Sequence, residues 1–319
     1  MTDGASLKGK VRPVNDLLFR RVLGNAQHIE ITKGFISAML GMEVHEIIIE
    51  NPYSVDLFKD QSNELIHRNT VVDVLVSLAD GRRVVVEMQT TKQTFFLERE
   101  LFYAASRYTD QYGAFGKAHE SNSSNSLYSS LYPVHVICVL DFVLFTEDSD
   151  PLSHYVLYDI GHKRTIGVHS GVSSASSVDS LISLSFLELP KPREVATASV
   201  RHWMDFFQGR TLDSDAPAYF ETACRLVSEQ DWSIEEKRMI DYYEISEADR
   251  LAQIDYGRQE GYKEGIEQGL ELGLEQGLEQ GLFDVAKAAL LKGSTLEFIA
   301  DITGLDITDI RKLQAELKG

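Results

Sequence analysis

The segment Val71-Val72-Asp73-Val74-Leu75-Val76-Ser77-Leu78-Ala79-Asp80-Gly81-Arg82-Arg83-Val84-Val85-Val86-Glu87-Met88-Gln89 constrains the fold more than any other. Two runs rich in β-branched residues flank Ala79-Asp80-Gly81, and that pattern calls for a β-hairpin. A three-residue loop with Gly81 in the left-handed conformation pairs residue 78 with 82. Asp73 then stands opposite Glu87, and Gln89 points to the same face because side chains alternate along a strand. A two-residue Asp80-Gly81 turn would instead send Asp73 and Glu87 to opposite faces. Facing carboxylates repel and are costly to bury. A bound divalent cation is one reason to hold such a pair; heads in water, or pairing with Arg83, is the ordinary alternative.

Around the hairpin the pattern alternates between helix and strand. Val14, Leu17, Leu18 and Val22 recur at helical spacing, and Phe35, Ile36, Met39 and Leu40 form a second stripe ending at Gly41, with a break at Gly24-Asn25. Val44–Ile49 reads as a strand. Residues 93–112 read as a long helix with Phe96, Leu97, Leu101, Tyr103, Ala104 and Tyr108 toward the core. Val134–Leu140 reads as a buried strand, 117–131 and 171–180 as serine-rich loops, and Leu181–Leu189 as another strand. The order helix–strand–strand–strand–helix–strand implies an α/β fold, a mixed sheet flanked by helices. Residues 1–195 are expected to form that core and 196–256 a helical segment. Residues 257–283 are expected to form a separate glycine-rich helix, and 284–319 a small helical hairpin.

The tail is the second informative feature. Glycine stands at 257, 261, 265, 269, 273, 277 and 281, and leucine or isoleucine at 266, 270, 274, 278 and 282. In a helix those seven glycines cost roughly 7 kcal/mol relative to alanine. Glu267, Glu271, Glu275 and Glu279 add like charges four residues apart. The stripe suits close packing against another backbone, so a homodimer or higher oligomer is expected; a repeat-expanded linker is the alternative. Beyond it, Ser294–Leu317 reads as two short helices joined at Gly304, with Asp306 and Asp309 placed where a DNA-reading helix would meet bases, which favours a helical cap over major-groove contact.

The net charge of −18 argues against a nonspecific nucleic-acid binder. Its distribution matters, however: between Arg82 and Lys117 six basic residues face four acidic ones, so the acidity lies mostly outside the hairpin and the helix after it. No apolar run is long enough to span a membrane, and Met1–Lys10 has no apolar stretch, so neither a membrane anchor nor a signal peptide is expected. Cys138 and Cys224 are expected to be reduced core residues, which fits the cytoplasm. The histidines show no metal-ligand spacing, and His162 and His169 read as surface residues.

An Asp in one strand followed by Glu-x-Gln in the next resembles the PD-(D/E)XK nuclease signature. More narrowly, the chain resembles the bacterial recombination-promoting nuclease / transposase family. The opening stretch Asn15-Asp16-Leu17-Leu18-Phe19-Arg20-Arg21-Val22-Leu23-Gly24, the triplet Glu87-Met88-Gln89 and the run Phe96-Leu97-Glu98-Arg99-Glu100-Leu101-Phe102-Tyr103 carry the likeness. Leu187-Glu188-Leu189-Pro190-Lys191, Arg201-His202-Trp203 and the glycine tail extend it over nearly the whole chain. Val72 replaces the usual proline, and Gln89 replaces the lysine of the broader signature. The resemblance implies a restriction-endonuclease-like core with a helical C-terminal extension, and a Mg²⁺-dependent (Mn²⁺-tolerant) DNA endonuclease. Asp73 and Glu87 would be the metal ligands and Gln89 would orient water. Asp16 would complete or relay to the site, its alternative role being a helix N-cap. Arg99 and Arg107 would clamp phosphates, or else form salt bridges with Glu98 or Glu100. Recombination of mobile elements or phage defence is the implied setting. The rival reading is a catalytically decayed interaction protein that oligomerises through its tail; RNA as substrate is a third.

Overall fold

The computed structural model describes residues 12–53, 74–116, 131–162, 164–165, 180–228, 230 and 232–317. It divides into two compact units that meet between Tyr243 and Glu244. The first unit is built on a six-stranded mixed sheet of β1 (Ile47–Ile49), β2 (Val74–Leu78), β3 (Arg83–Gln89), β4 (Val134–Leu140), β5 (Leu152–Val156) and β8 (Ile182–Glu188), in the order β1-β2-β3-β4-β8-β5. β1, β2 and β3 run antiparallel to their neighbours in turn. β3, β4 and β8 run parallel, and β5 closes the edge antiparallel. A separate two-stranded ribbon pairs β6 (Tyr158–Asp159) with β7 (Arg164–Thr165). This is the α/β, restriction-endonuclease-like architecture expected from the sequence; β5 and the ribbon were not foreseen.

The hairpin adopts the three-residue loop. Gly81 has φ +89°, where a Cβ would also collide with the ring of Tyr132. The Leu78 N–H donates to the Arg82 carbonyl at 2.8 Å and the Gly81 N–H to the Leu78 carbonyl at 2.9 Å. Val74 pairs with Val86, Leu75 with Val85, Val76 with Val84 and Ser77 with Arg83. Asp73 itself lies outside the described residues.

Alternation along the strands splits the core in two. On one face Val74, Val76, Val84, Val86, Met88, Ile137 and Val139 pack with α1 (Asp16–Leu23), α2 (Ile29–Leu40), α4 (Ala198–Phe207) and α5 (Tyr219–Leu226). Trp203, Phe206, Phe207, Phe35 and Phe220 form the aromatic centre of this layer; the Trp203 and Phe220 rings lie 4.6 Å apart. On the other face Leu75, Val85, Val136, Cys138, Leu140 and Phe186 pack against Phe96 and Ala104 of α3 (Phe96–Gly116). The sequence expectation for α3 needs correcting here. Leu97 and Leu101 are exposed, and the row turned to the sheet is Phe96, Glu100, Ala104 and Gln111. Gln111 earns its place by bonding both ways with the Tyr132 backbone at 3.0 Å, which fixes α3 to the entry of β4.

The helix α6 (Ile234–Leu291) starts with a reciprocal cap between Ser233 and Glu236. It remains helical through the glycine stripe, where a Cβ on any of the seven glycines would meet nothing within 4 Å. In the second unit, Ala286 of α6 packs with Ile299 of α7 (Leu296–Thr303) and Ile310 of α8 (Ile307–Glu316). Gly304, at φ +69°, ends α7 as expected. Asp306 is the N-cap of α8, accepting from the Thr308 N–H at 2.8 Å, and Asp309 pairs with Lys312. Their charges are thus accounted for by the helix start.

At the end of β8, Glu188 is fully buried. It accepts from the backbone N–H groups of Leu144 and Phe145, and it pairs with Lys191 at 2.5 Å. Lys191 also donates to Asp148 and to the Asp150 carbonyl, both at 3.0 Å, tying the loop after β4 to the strand. Removing one partner of a buried pair leaves the other charge uncompensated. Lys191→Met should therefore lower unfolding free energy by about 3 kcal/mol, read from the urea denaturation midpoint; a shift near zero would show the pair to be dispensable.

Candidate active site

Glu87 sits on the central strand β3 with 5% of its surface exposed. It shares the parity of Val85, so its carboxylate faces the α3 side of the sheet. Across the parallel ladder it stands beside Cys138, and Gln89 beside Leu140. Gln89 is half-buried at the end of the strand. The described register runs from Val74–Val86 to Ser77–Arg83 and stops short of Asp73.

The structure adds a residue that sequence reasoning counted only as a surface partner. Glu100 of α3 is wholly buried. Its Oε2 accepts from the Cys138 thiol at 3.4 Å, and its Oε1 accepts from Arg99 Nη2 at 3.0 Å and Nε at 3.3 Å. The signal was present: a carboxylate midway between Phe96 and Ala104 at four-residue spacing lies on a helix face turned to the sheet. Arg99 also bonds Gln93, and its guanidinium lies 5.5 Å from the Phe96 ring centre and 5.8 Å from that of Tyr103. Burial pushes the Cys138 thiol well above its ordinary range, and the carboxylates of Glu100 and Glu87 push the same way, partly opposed by Arg99. Burial also raises the Tyr103 phenol; Arg99 opposes the rise while Glu87 and Glu100 add to it. Two buried carboxylates, a buried thiol, and the partly exposed guanidinium of Arg99 and phenol of Tyr103 thus share one neighbourhood.

The other expected residues are placed differently. Asp16 is not the N-cap of α1: that role belongs to Asn15, whose side chain accepts from the Leu17 and Leu18 N–H groups. Asp16 is the exposed first residue of a helix packed in the layer opposite Glu87. Arg107, with 22% of its side chain exposed, pairs with Asp110 on the same helix at 3.2 Å. Asp141, directly after β4, holds Arg12 through two bonds of 2.7 and 3.0 Å and donates its N–H to the Gln89 carbonyl.

A second polar group escaped the sequence reading of the histidines. His202 of α4 bonds Asp215 at 3.2 Å, and one ligand atom each from His202, Asp213 and Asp215 lies within 4.8 Å of the others. Asp213 is also flanked by Arg193 and Arg201, each at 3.4 Å. Those guanidiniums already supply the positive charge a cation would bring, so the group is an ion-pair network on the α4 layer. Asp205, buried among it between Arg193 and Arg210, is raised by burial against their attraction.

A family model described as PD-(D/E)XK nuclease family transposase matches residues 13–257. The chain belongs to this family, and a nuclease-like function follows from that membership. No curated protein and no solved structure matches the chain. No helix of the described residues is long and apolar enough to cross a membrane.

The buried thiol makes a direct check of this neighbourhood. Thiolate formation at Cys138 is opposed by burial and by two carboxylates. In the native protein at pH 8, Cys138 should resist iodoacetamide and react only on unfolding, as followed by mass spectrometry. Rapid native labelling would show that the site is open where the packing closes it.

Proposed function

We propose that the protein is a divalent-metal-dependent DNA endonuclease that hydrolyses phosphodiester bonds at the α3 face of β3. The observation that carries this reading is Glu87: a carboxylate buried on a central strand, whose ladder neighbour Cys138 donates to a second buried carboxylate, in a chain of this family. Asp73, the residue before β2, is proposed as its partner. The donors are all oxygens, which suits Mg²⁺ or Mn²⁺. When bound, the ion would supply Lewis acidity and lower the pKa of a coordinated water.

The protein's own contribution is positional. β3 is locked between β2 and β4, so Glu87 loses little freedom on reaction. Gln89, two residues on and facing the same way, would orient a water by accepting its proton in a hydrogen bond. Arg99 and Arg107 on α3 would contact phosphate oxygens, charge-assisted contacts that position a duplex without reading its bases. Recombination of mobile DNA fits the transposase description of the family, and phage defence is a further setting for the same chemistry.

The decisive experiment is cleavage of supercoiled plasmid with Mg²⁺, with EDTA as control. Asp73→Ala and Glu87→Ala should each reduce cleavage by at least about 10³-fold while circular dichroism and melting remain those of a folded protein. Wild-type rates in either variant would refute the assignment. The second reading, a decayed interaction protein, is favoured by one observation: Gln89 carries no charge, and Arg99 and Arg107 are both ion-paired. It requires intact association with no cleavage by the wild type.

The glycine stripe of α6 is proposed to join two copies of the chain. Exposed Leu270, Leu274 and Leu278 flank glycines with open space above them. Gly269→Leu combined with Gly273→Leu raises intrinsic helix propensity yet should separate the backbones and shift the wild-type oligomer toward monomer in sedimentation velocity. A monomeric wild type at micromolar concentration, or an unchanged oligomer in the variant, would reject this contact.

A further inference from the structure

We propose that Arg99, held in place by the buried Glu100, supplies to this site the positive charge that Gln89 lacks. The proposal rests on the nuclease reading above. The broader signature places a lysine where this chain has Gln89, and an amide can orient water but cannot offset negative charge developing on a phosphate. Some other element must bring a cation if the chemistry is retained. Glu87 stands beside Cys138 in the ladder, the Cys138 thiol donates to Glu100 at 3.4 Å, and Glu100 accepts from Arg99 at 3.0 Å, a chain of contacts that links the Arg99 guanidinium to the position of Glu87.

The way Arg99 is held separates it from an ordinary surface arginine. Glu100 has no exposed surface, and a carboxylate so buried must be paired. Two donors of the Arg99 fork converge on the Glu100 Oε1, a third reaches Gln93, and the plane rests over Phe96 and Tyr103. The guanidinium is pinned along one edge, yet 27% of the side chain is exposed, so part of it faces outward. Arg107, eight residues on, pairs with Asp110, a half-exposed carboxylate, at 3.2 Å. On this view Arg99 meets the reacting phosphate, Glu100 is a positioning residue that acts through it, and Arg107 binds flanking backbone.

Two measurements decide the matter, one of them independent of cleavage. In metal-free protein, the Arg99 Nε–H should give a sharp, slowly exchanging ¹⁵N resonance that broadens in Glu100→Gln, a variant that keeps the shape of the side chain and one of its two acceptor oxygens but removes its charge. Exchange in the wild type as fast as that of exposed arginines would overturn the positioning role. In plasmid cleavage, Arg99→Ala should lower kcat by roughly 10²-fold and Glu100→Gln by roughly tenfold. Arg107→Ala should mainly raise KM. Adding Gln89→Lys to Arg99→Ala should recover at least about tenfold, because it returns a cation to the strand position; a merely structural arginine would not be rescued this way. Loss confined to KM in Arg99→Ala, or no rescue by Gln89→Lys in a folded double variant, would overturn the charge assignment. Absence of cleavage by the wild type would instead remove the nuclease reading and the charge assignment together, while the resonance would still decide whether Glu100 holds Arg99.

Discussion

The site depends on the burial of a carboxylate at the centre of a sheet. Glu87 stands on β3, which is antiparallel to β2 and parallel to β4, with both of its faces covered by helices. Parallel strands need cover on both faces, and their residues are correspondingly apolar; the run of β4 from Val134 to Leu140 is buried throughout. A charge set into such a layer is expensive unless something compensates for it. The surrounding chemistry responds to that demand. α3 turns Glu100 inward rather than leucine, Arg99 beside it supplies the pairing cation, and the thiol of Cys138 donates to Glu100. Stability alone would have placed apolar side chains at 87 and 100, so the polar cluster points to function.

Much of this was legible because it is local. The hairpin register follows from a loop three residues long with glycine at its last position, and Gly81 adopts the left-handed conformation that the loop demands. The break at Gly24-Asn25, the strand Val134–Leu140 and the cap at Gly304 follow from turn chemistry and periodicity of the same kind. What could not be read was the facing of α3. Periodicity places Phe96 and Ala104 correctly but adds the apolar Leu97 and Leu101, which are exposed, and omits the polar Glu100 and Gln111, which are buried. The helix does the reverse because Gln111 and Glu100 have partners on the sheet side, in Tyr132 and Cys138, that lie 21 and 38 residues away in the chain. Helical spacing contains no information about partners so distant. The same reason hid His202, Asp213 and Asp215, brought together by the loop after α4 rather than by a ligand spacing.

The two buried acid–base pairs illustrate different uses of one interaction. Lys191 and Glu188 are both almost without solvent exposure; they pair with each other, and their side chains also bond the loop after β4. Their partners close on one another, so the pair fixes backbone and presents nothing. In the Arg99–Glu100 pair the anion is sealed and the cation is not. An asymmetric pair of this kind holds the cation's position while leaving part of its charge directed outward, which is what recognition of a phosphate requires.

The glycine tail follows a different logic from the core. Glycine every four residues and glutamate every four residues both weaken a solitary helix, and α6 carries the two series together while its leucines lie open. If rigidity were the requirement, alanine and alternating charges would meet it with less loss of stability. What glycine adds is the removal of side-chain bulk along one line, which matters only where a second backbone comes close. The glutamates then set the terms of that approach. Lying beside the glycines, they would repel their counterparts in another copy, and they repel a phosphate backbone as well. That repulsion is screened over about 8–10 Å at physiological salt, so it acts only on charged groups that come within that distance of the tail.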